Sequence, residues 1–122
     1  MDEAEVRRRI DRFLEAVDAE YRLERAVLFG SRARGDHLKD SDVDLILVSD
    51  DFGGIPFPER PGKVYRFWER GLPLEVLCYT RDEFRRVSGR IGLVSDALKE
   101  GIELLRRGGD SQGSDPLLAD RP

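Results

Sequence analysis

Two apolar runs, AVLF at 26–29 and LILV at 45–48, flank the polar stretch GSRARGDHLKDSDVD at 30–44. The aliphatic and β-branched content of both runs is typical of buried strands. Because side chains alternate along a strand, Asp42 and Asp44 are predicted on one face, together with Ile46 and Val48. The chain must therefore accommodate two neighbouring carboxylates at the start of a buried strand.

The other segments show periodic patterns that predict further elements. Residues 2–20 have apolar side chains at helical spacing, and LPLEVLCYT at 72–80 has the character of a third strand. Residues 50–62 are rich in glycine and proline and predict a loop, which a short helix at 63–71 would follow. Helical spacing also predicts two helices at 81–90 and 91–107.

This order of elements predicts an α/β (α+β) fold, in which helices pack on a small mixed β-sheet. A chain of 122 residues with 39% hydrophobic content has room for one core, which we assign to a single domain at 1–107. Residues 108–122 are rich in glycine, serine, aspartate and proline, so we expect a disordered tail there.

Charge and cysteine content exclude several classes of protein. The formal charge of −4 argues against a protein whose main partner is nucleic acid. The single cysteine, Cys78, excludes an intrachain disulfide framework and fits a reducing, cytoplasmic location. No apolar run approaches the length of a membrane span, so we expect no membrane partner.

The predicted carboxylate pair indicates a metal site. A lone desolvated carboxylate costs several kcal/mol, and two on one face also repel each other. A hard cation such as Mg²⁺ binds carboxylates, water and phosphates, so Asp42 and Asp44 are candidate metal ligands. Glu75, within the third apolar run, would be a third ligand if that run lies beside LILV in the sheet.

Upstream of the aspartates, the sequence indicates an anion site. Gly30 and Ser31 follow a predicted strand and precede a short helix, where backbone N–H groups and a hydroxyl can hold phosphate. Arg32 and Arg34 add guanidinium donors that suit phosphate oxygens. A phosphate-binding site beside a metal site predicts binding of a nucleoside triphosphate.

The spacing Gly-Ser, ten residues, then Asp-x-Asp resembles the signature of the DNA polymerase beta nucleotidyltransferase superfamily. LFGSRARG and SDVDLILV most resemble its minimal nucleotidyltransferases, or MNT proteins. The similarity is concentrated at 25–49 and extends more weakly to LPLEVLCYT, where Glu75 stands at a position that is more usually aspartate.

The resemblance implies a nucleotidyltransferase fold and the transfer of a nucleoside monophosphate, AMP from ATP or another triphosphate, to a hydroxyl. By the same resemblance, Asp42 and Asp44 would hold two Mg²⁺ ions, with Mn²⁺ as an alternative, and Glu75 would complete the catalytic site. Gly30 and Ser31 would hold the outer phosphates, with Arg32 and Arg34 as further nucleotide ligands.

The resemblance also implies a partner, because the chain has no room for the helical acceptor domain of larger transferases. The first hypothesis is the antitoxin of a toxin–antitoxin pair, whose toxin is a small helical HEPN protein modified on a hydroxyl. The alternatives are a small-molecule nucleotidyltransferase of the aminoglycoside type, and a catalytically silent module that binds nucleotide and partner. Association with a second copy of the chain stays open.

Overall fold

The computed structural model describes residues 2–35 and 41–107 of the chain. Within them, the predicted α/β fold is confirmed. The helices are α1 (Glu3–Glu20), α2 (Ser31–Arg34), α3 (Arg60–Tyr65), α4 (Arg81–Ser88) and α5 (Leu93–Glu100). The strands are β1 (Arg25–Phe29), β2 (Val43–Val48), β3 (Leu74–Tyr79) and β4 (Ile102–Arg106). The predicted tail at 108–122 lies outside the described residues.

These strands form one mixed sheet in the order β3-β2-β1-β4. β1 pairs antiparallel with β2 and β4, whereas β2 and β3 are parallel. Phe29, Asp44 and Glu75 align across three strands, and we call this end of the sheet the acidic end. Arg25, Val48, Tyr79 and Arg106 align at the opposite end, which we call the arginine end.

The sheet separates two apolar clusters, as the alternation of side chains along its strands requires. α1 packs on one face, where Ile10, Phe13 and Val17 meet Leu45 and Leu47 of β2. The opposite face carries α4 and α5 and buries Val27, Phe29, Ile46, Val48, Phe84 and Val94. Residues 42 and 44 have the parity of Ile46 and Val48, so the acidic end opens on the face that α4 and α5 cover.

The C-terminal part of the sequence prediction is wrong. Residues 91–107 do not form one helix, because α5 ends at Glu100 and β4 follows Gly101. A Cβ on Gly101 would lie 2.7 Å from both the Ala97 carbonyl oxygen and Val27 Cγ1, so only glycine allows this close approach to β1. The apolar residues at 102 and 105, which fit a helical spacing, instead belong to a fourth strand.

The predicted loop at 50–62 is also more structured than expected. It contains 3₁₀ turns at Asp50–Phe52 and Phe57–Glu59, and α3 begins within it at Arg60. Pro61 occupies the first turn of α3, where its missing N–H costs nothing. α3 ends at Tyr65, and Trp68 lies in the turn beyond it, with its ring edge-on to Phe13 at 5.4 Å. The short helix therefore starts and ends earlier than the predicted 63–71.

Candidate active site

The pairing of the strands brings the three predicted acidic residues together. Asp44 in β2 lies opposite Glu75 in β3, which confirms the expectation that these strands are neighbours. Asp42 precedes β2 by one residue and shares the face of Asp44 by alternation. One carboxylate oxygen from each of the three lies within 4.8 Å of the other two. The cluster thus combines two strands and the loop before one of them.

The three carboxylates differ in exposure. Asp42 and Glu75 are exposed, whereas Asp44 is half-buried between β1 and β3. β3 is an edge strand, so solvent reaches the Glu75 side chain from the side. Among the residues that the structure describes, none of the three carboxylates forms an ion pair. An acidic cluster without a neutralising side chain can accept a cation from solution.

Ionisation of Asp44 is disfavoured by its surroundings in this arrangement. Burial raises the pKa of Asp44 above its ordinary value, and the charges of Glu75 and Asp42 raise it further. The positive charges of Arg32 and Arg34 act in the opposite direction without cancelling the effect. Burial and like charge both disfavour the ionised form, and both would be offset by a bound cation.

Gly30 packs directly against Asp44. It follows β1 with a φ of +76°, a conformation that residues with a side chain rarely adopt. A Cβ at this position would lie 2.3 Å from Asp44 Oδ2, well inside van der Waals contact. Glycine is therefore required here both for the turn and for the close approach to the carboxylate. Ser31 follows as the first residue of α2.

Arg32 and Arg34 lie on α2 but differ in environment. The Arg32 side chain is 2% exposed, and its guanidinium donates to the Ser41 carbonyl and to Glu3. Arg34 is exposed for 45% of its side chain and lies 3.7 Å from Glu100 of α5. A phosphate contact stays a prediction for both, and the described contacts of Arg32 include the Ser41 carbonyl and Glu3 of α1.

Sequence analysis missed Tyr65 as a neighbour of the acidic cluster. Its hydroxyl donates to the Leu74 carbonyl, directly before Glu75 in the chain. Burial raises the pKa of Tyr65, and the charges of Glu75 and Asp42 contribute to the same effect. The sequence predicts only a short helix at 63–71, and the position of α3 beside β3 shows that the last residue of this helix borders the site.

The residues of the cluster fit a divalent metal ion. Mg²⁺ and Mn²⁺ prefer oxygen ligands, and the cluster offers three carboxylates with no competing cation among the described residues. Burial raises the pKa of Asp44, and the charges of Glu75 and Asp42 raise it further, so a bound cation would favour its ionised form. The donor chemistry therefore matches the group that the sequence predicts.

Comparison with known proteins agrees with this geometry. The sequence profile of the nucleotidyltransferase domain family matches residues 10–104. The chain belongs to this family. The match runs from within α1 to within β4, and it contains the three carboxylates, the glycine-serine turn and the strands β1, β2 and β3.

Two similar proteins are described as transferases of the same kind. A protein of Methanocaldococcus jannaschii, described as a putative protein adenylyltransferase, is 42% identical over 43 residues. That match covers 34% of this chain and 43% of the relative, so it spans less than half of either protein. A crystal structure described as a putative nucleotidyltransferase from Sulfolobus solfataricus superposes with a TM-score of 0.57 at 25% identity. The superposition covers 89% of this chain and 93% of the Sulfolobus chain.

Among the described residues, no helix is both long and apolar enough to cross a bilayer.

Proposed function

We propose that this domain transfers AMP from ATP to a hydroxyl of a partner protein, with Mg²⁺ as the metal. The observation that carries the proposal is the convergence of Asp42, Asp44 and Glu75, whose carboxylate oxygens lie within 4.8 Å of one another. Family membership supports the reaction class, and the name of the Methanocaldococcus relative supports ATP and a protein as its two substrates.

In this proposal, Asp42 and Asp44 hold the metal ions and Glu75 completes the site. Bound divalent ions would neutralise phosphate charge and lower the pKa of the acceptor hydroxyl. Because three carboxylates converge here, the cluster could hold more than one divalent ion. The exposure of Asp42 and Glu75 leaves their oxygens accessible to an incoming substrate.

The transfer itself exchanges one phosphorus–oxygen bond for another. The acceptor oxygen bonds to the α-phosphorus of ATP, the bond from that phosphorus to the bridging oxygen breaks, and pyrophosphate leaves. The hydroxyl proton passes to a carboxylate oxygen of Glu75 or to water. The chain's residues contribute orientation and charge, which are the main contributions of a protein to phosphoryl transfer.

The turn after β1 would hold the phosphates that leave. Gly30 brings the backbone against Asp44 without a side chain, and Ser31 offers a hydroxyl and a backbone N–H next to it. Arg34 has the exposure that a phosphate contact requires, with its guanidinium 3.7 Å from Glu100. Its movement from Glu100 to a phosphate would be favoured because bidentate guanidinium–phosphate pairs are strong.

The acceptor would be a small helical protein of the HEPN type, and the pair would work as a toxin and its MNT antitoxin in the cytoplasm. This part of the proposal is supported by the resemblance of LFGSRARG and SDVDLILV to minimal nucleotidyltransferases. A helical acceptor from a second chain would supply the hydroxyl that larger transferases bind on a domain of their own. Association with a second copy of this chain would be compatible with the same role.

The test is intact-mass spectrometry of this protein together with the product of the neighbouring gene, incubated with Mg²⁺ and each nucleoside triphosphate in turn. We expect an adduct of AMP on the partner with ATP, and none with Asp42→Asn. A stable complex with no adduct would favour neutralisation by binding alone. Turnover of aminoglycosides by the isolated protein, without modification of the partner, would favour the small-molecule reaction.

A further inference from the structure

The Arg32 side chain is a buried guanidinium next to the acidic cluster. Its side chain is 2% exposed, and Nε and Nη2 both donate to the Ser41 carbonyl, at 3.0 and 2.8 Å. Nη1 donates to Glu3 at 3.2 Å, which links the same guanidinium to the first turn of α1. One side chain of α2 therefore connects α1 with the chain just before β2.

The Ser41 carbonyl is important because it belongs to the same peptide unit as the Asp42 nitrogen. A peptide unit is planar, so fixing the carbonyl also fixes the direction in which the chain enters Asp42. The following peptide is held from the other side, where Val43 N–H donates to the Pro73 carbonyl at 2.9 Å. The peptide units on both sides of Asp42 are thus held, one by the two bonds from Arg32 and the other by the bond to Pro73, the residue before β3.

Asp44 does not depend on such a support. It lies inside β2, opposite Phe29 of β1 and Glu75 of β3, so the sheet fixes its position from both sides. Asp42 lies outside the strand and is exposed. The two aspartates therefore have the same chemistry but are held in place differently. Sheet pairing holds Asp44, whereas hydrogen bonds from the Arg32 side chain help to hold Asp42.

We propose that Arg32 is a positioning residue, which orients the Asp42 carboxylate for metal binding through the Ser41 peptide. This inference rests on the metal role proposed above for Asp42, Asp44 and Glu75. A loose Asp42 would leave the site with a poorly placed ligand, and loss of an orienting partner of a metal ligand typically lowers affinity about 10–100-fold.

The test measures Mn²⁺ affinity by electron paramagnetic resonance for the wild type, Arg32→Met and Arg32→Lys. We expect binding about 10–100-fold weaker for Arg32→Met. Charge alone predicts the opposite sign, because removal of a cation near the carboxylates strengthens their attraction for Mn²⁺. Arg32→Lys keeps the charge but loses the paired donors, so it should also bind Mn²⁺ more weakly and decides the test if Arg32→Met does not fold.

Arg60→Met is the matched control, because Arg60 is another buried arginine that donates to backbone carbonyls and to a glutamate. We expect it to lower the melting temperature and leave Mn²⁺ affinity unchanged. Unchanged or tighter Mn²⁺ binding in a folded Arg32 variant would overturn the positioning role. Failure of the wild type to bind Mn²⁺, with Asp44→Asn indistinguishable from it, would instead overturn the metal site of the proposed function.

Discussion

The two ends of the sheet treat their carboxylates in opposite ways. At the arginine end, Glu83 is bound by Arg60, and Asp50 accepts hydrogen bonds from Arg81. The hydrogen bond from Arg60 lowers the pKa of Glu83 to about 2. For Asp50, burial acts to raise the pKa, but the bonds from Arg81 outweigh it and lower the pKa. Ionised carboxylates at this end stabilise the fold.

At the acidic end, the three carboxylates repel one another and none is paired with a described side chain. The raised pKa of Asp44 means that its ionisation costs free energy in the folded protein. The chain has 21 basic side chains, so this difference does not reflect a shortage of arginine and lysine. Carboxylates whose pKa is raised by burial and by like charge are typical of functional sites.

The largest expected effect is a difference in transfer rate between substitutions at the two ends of the sheet. Asp44→Asn should lower AMP transfer by about 10³-fold or more, because a metal ligand contributes several kcal/mol to the transition state and each 1.36 kcal/mol is tenfold. The measurement is the initial rate of partner modification. Asp50→Asn removes a carboxylate charge at the arginine end and should leave the rate unchanged. Equal loss in both variants would contradict a special role for the acidic end.

Gly30→Ala should impair both stability and activity. The turn imposes a positive φ on alanine, and the new Cβ would meet Asp44 Oδ2 at 2.3 Å, so we expect a loss of about 2–3 kcal/mol in the free energy of unfolding. Gly54→Ala is the control, because Gly54 has a φ of +89° and no described atom within 4 Å of an added Cβ. Denaturant titration should show a smaller loss there, with activity retained. Similar losses in both would mean that backbone strain alone explains the effect.

Glu83→Gln should destabilise the arginine end without affecting transfer. It leaves the Arg60 guanidinium, whose side chain is 6% exposed, without its charged partner, which costs about 3 kcal/mol. Because the folded pKa of about 2 lies below the usual 4.5, the contribution of Glu83 is complete above pH 4.5. It is lost as the pH falls from 4.5 towards 2. Melting curves between pH 2 and 6 should therefore converge for variant and wild type in acid.

The smallest effect is expected from the stability of the metal-free acidic end. The folded pKa of Asp44 lies above 3.8, so the folded protein keeps this proton at a pH where the unfolded chain has released it. The stability contribution of Asp44 therefore falls as the pH rises through the window above 3.8. Asp44→Asn should melt a few degrees higher than wild type at pH 7 in a chelator, and the difference should disappear below pH 3.8.

Added Mn²⁺ should reverse this order, because it binds the wild type and stabilises the folded state by mass action. If Asp44→Asn is less stable than wild type at neutral pH in chelator, burial and like charge do not disfavour the ionised Asp44 carboxylate.

The local patterns of the sequence were sufficient for the strands that build the acidic end. Alternation placed Asp42 and Asp44 on one face, and the apolar run around Glu75 predicted the neighbouring strand. These inferences work because strand alternation and burial are set by residues close in the chain. The spacing from Gly30 to Asp42 added the link between the turn and the carboxylates.

β4 could not be predicted in this way. Ile102 and Leu105 fit the helical spacing of the preceding residues, so the pattern predicts one helix over 91–107. β4 exists because β1 has a free edge at which Glu103 meets Arg25, with 2.9 Å between Arg25 Nη2 and Glu103 Oε2. Pairing between residues so distant in sequence overrides a local helical pattern. Gly101 was the one local signal of the break.

The roles of the buried arginines were hidden for the same reason. Arg32 follows Ser31 in a segment with the pattern of a phosphate-binding turn, so the sequence predicts a contact with phosphate. In the structure, its guanidinium donates to the Ser41 carbonyl. Arg60 lies in a segment that glycine and proline marked as a loop. The local sequence does not show whether an arginine side chain is buried or exposed. Burial depends on partners that are distant in the sequence.

Cys78 lies in β3, three residues after Glu75, and is fully buried in the core. Burial raises the pKa of its thiol to about 12, so the reactive thiolate is scarce at neutral pH while the fold stays closed. Because Cys78 is the chain's single cysteine, alkylation of the protein by a thiol reagent reports on this one side chain. The rate at which a thiol reagent labels the protein reports how often the strand that carries Glu75 opens, without any introduced probe.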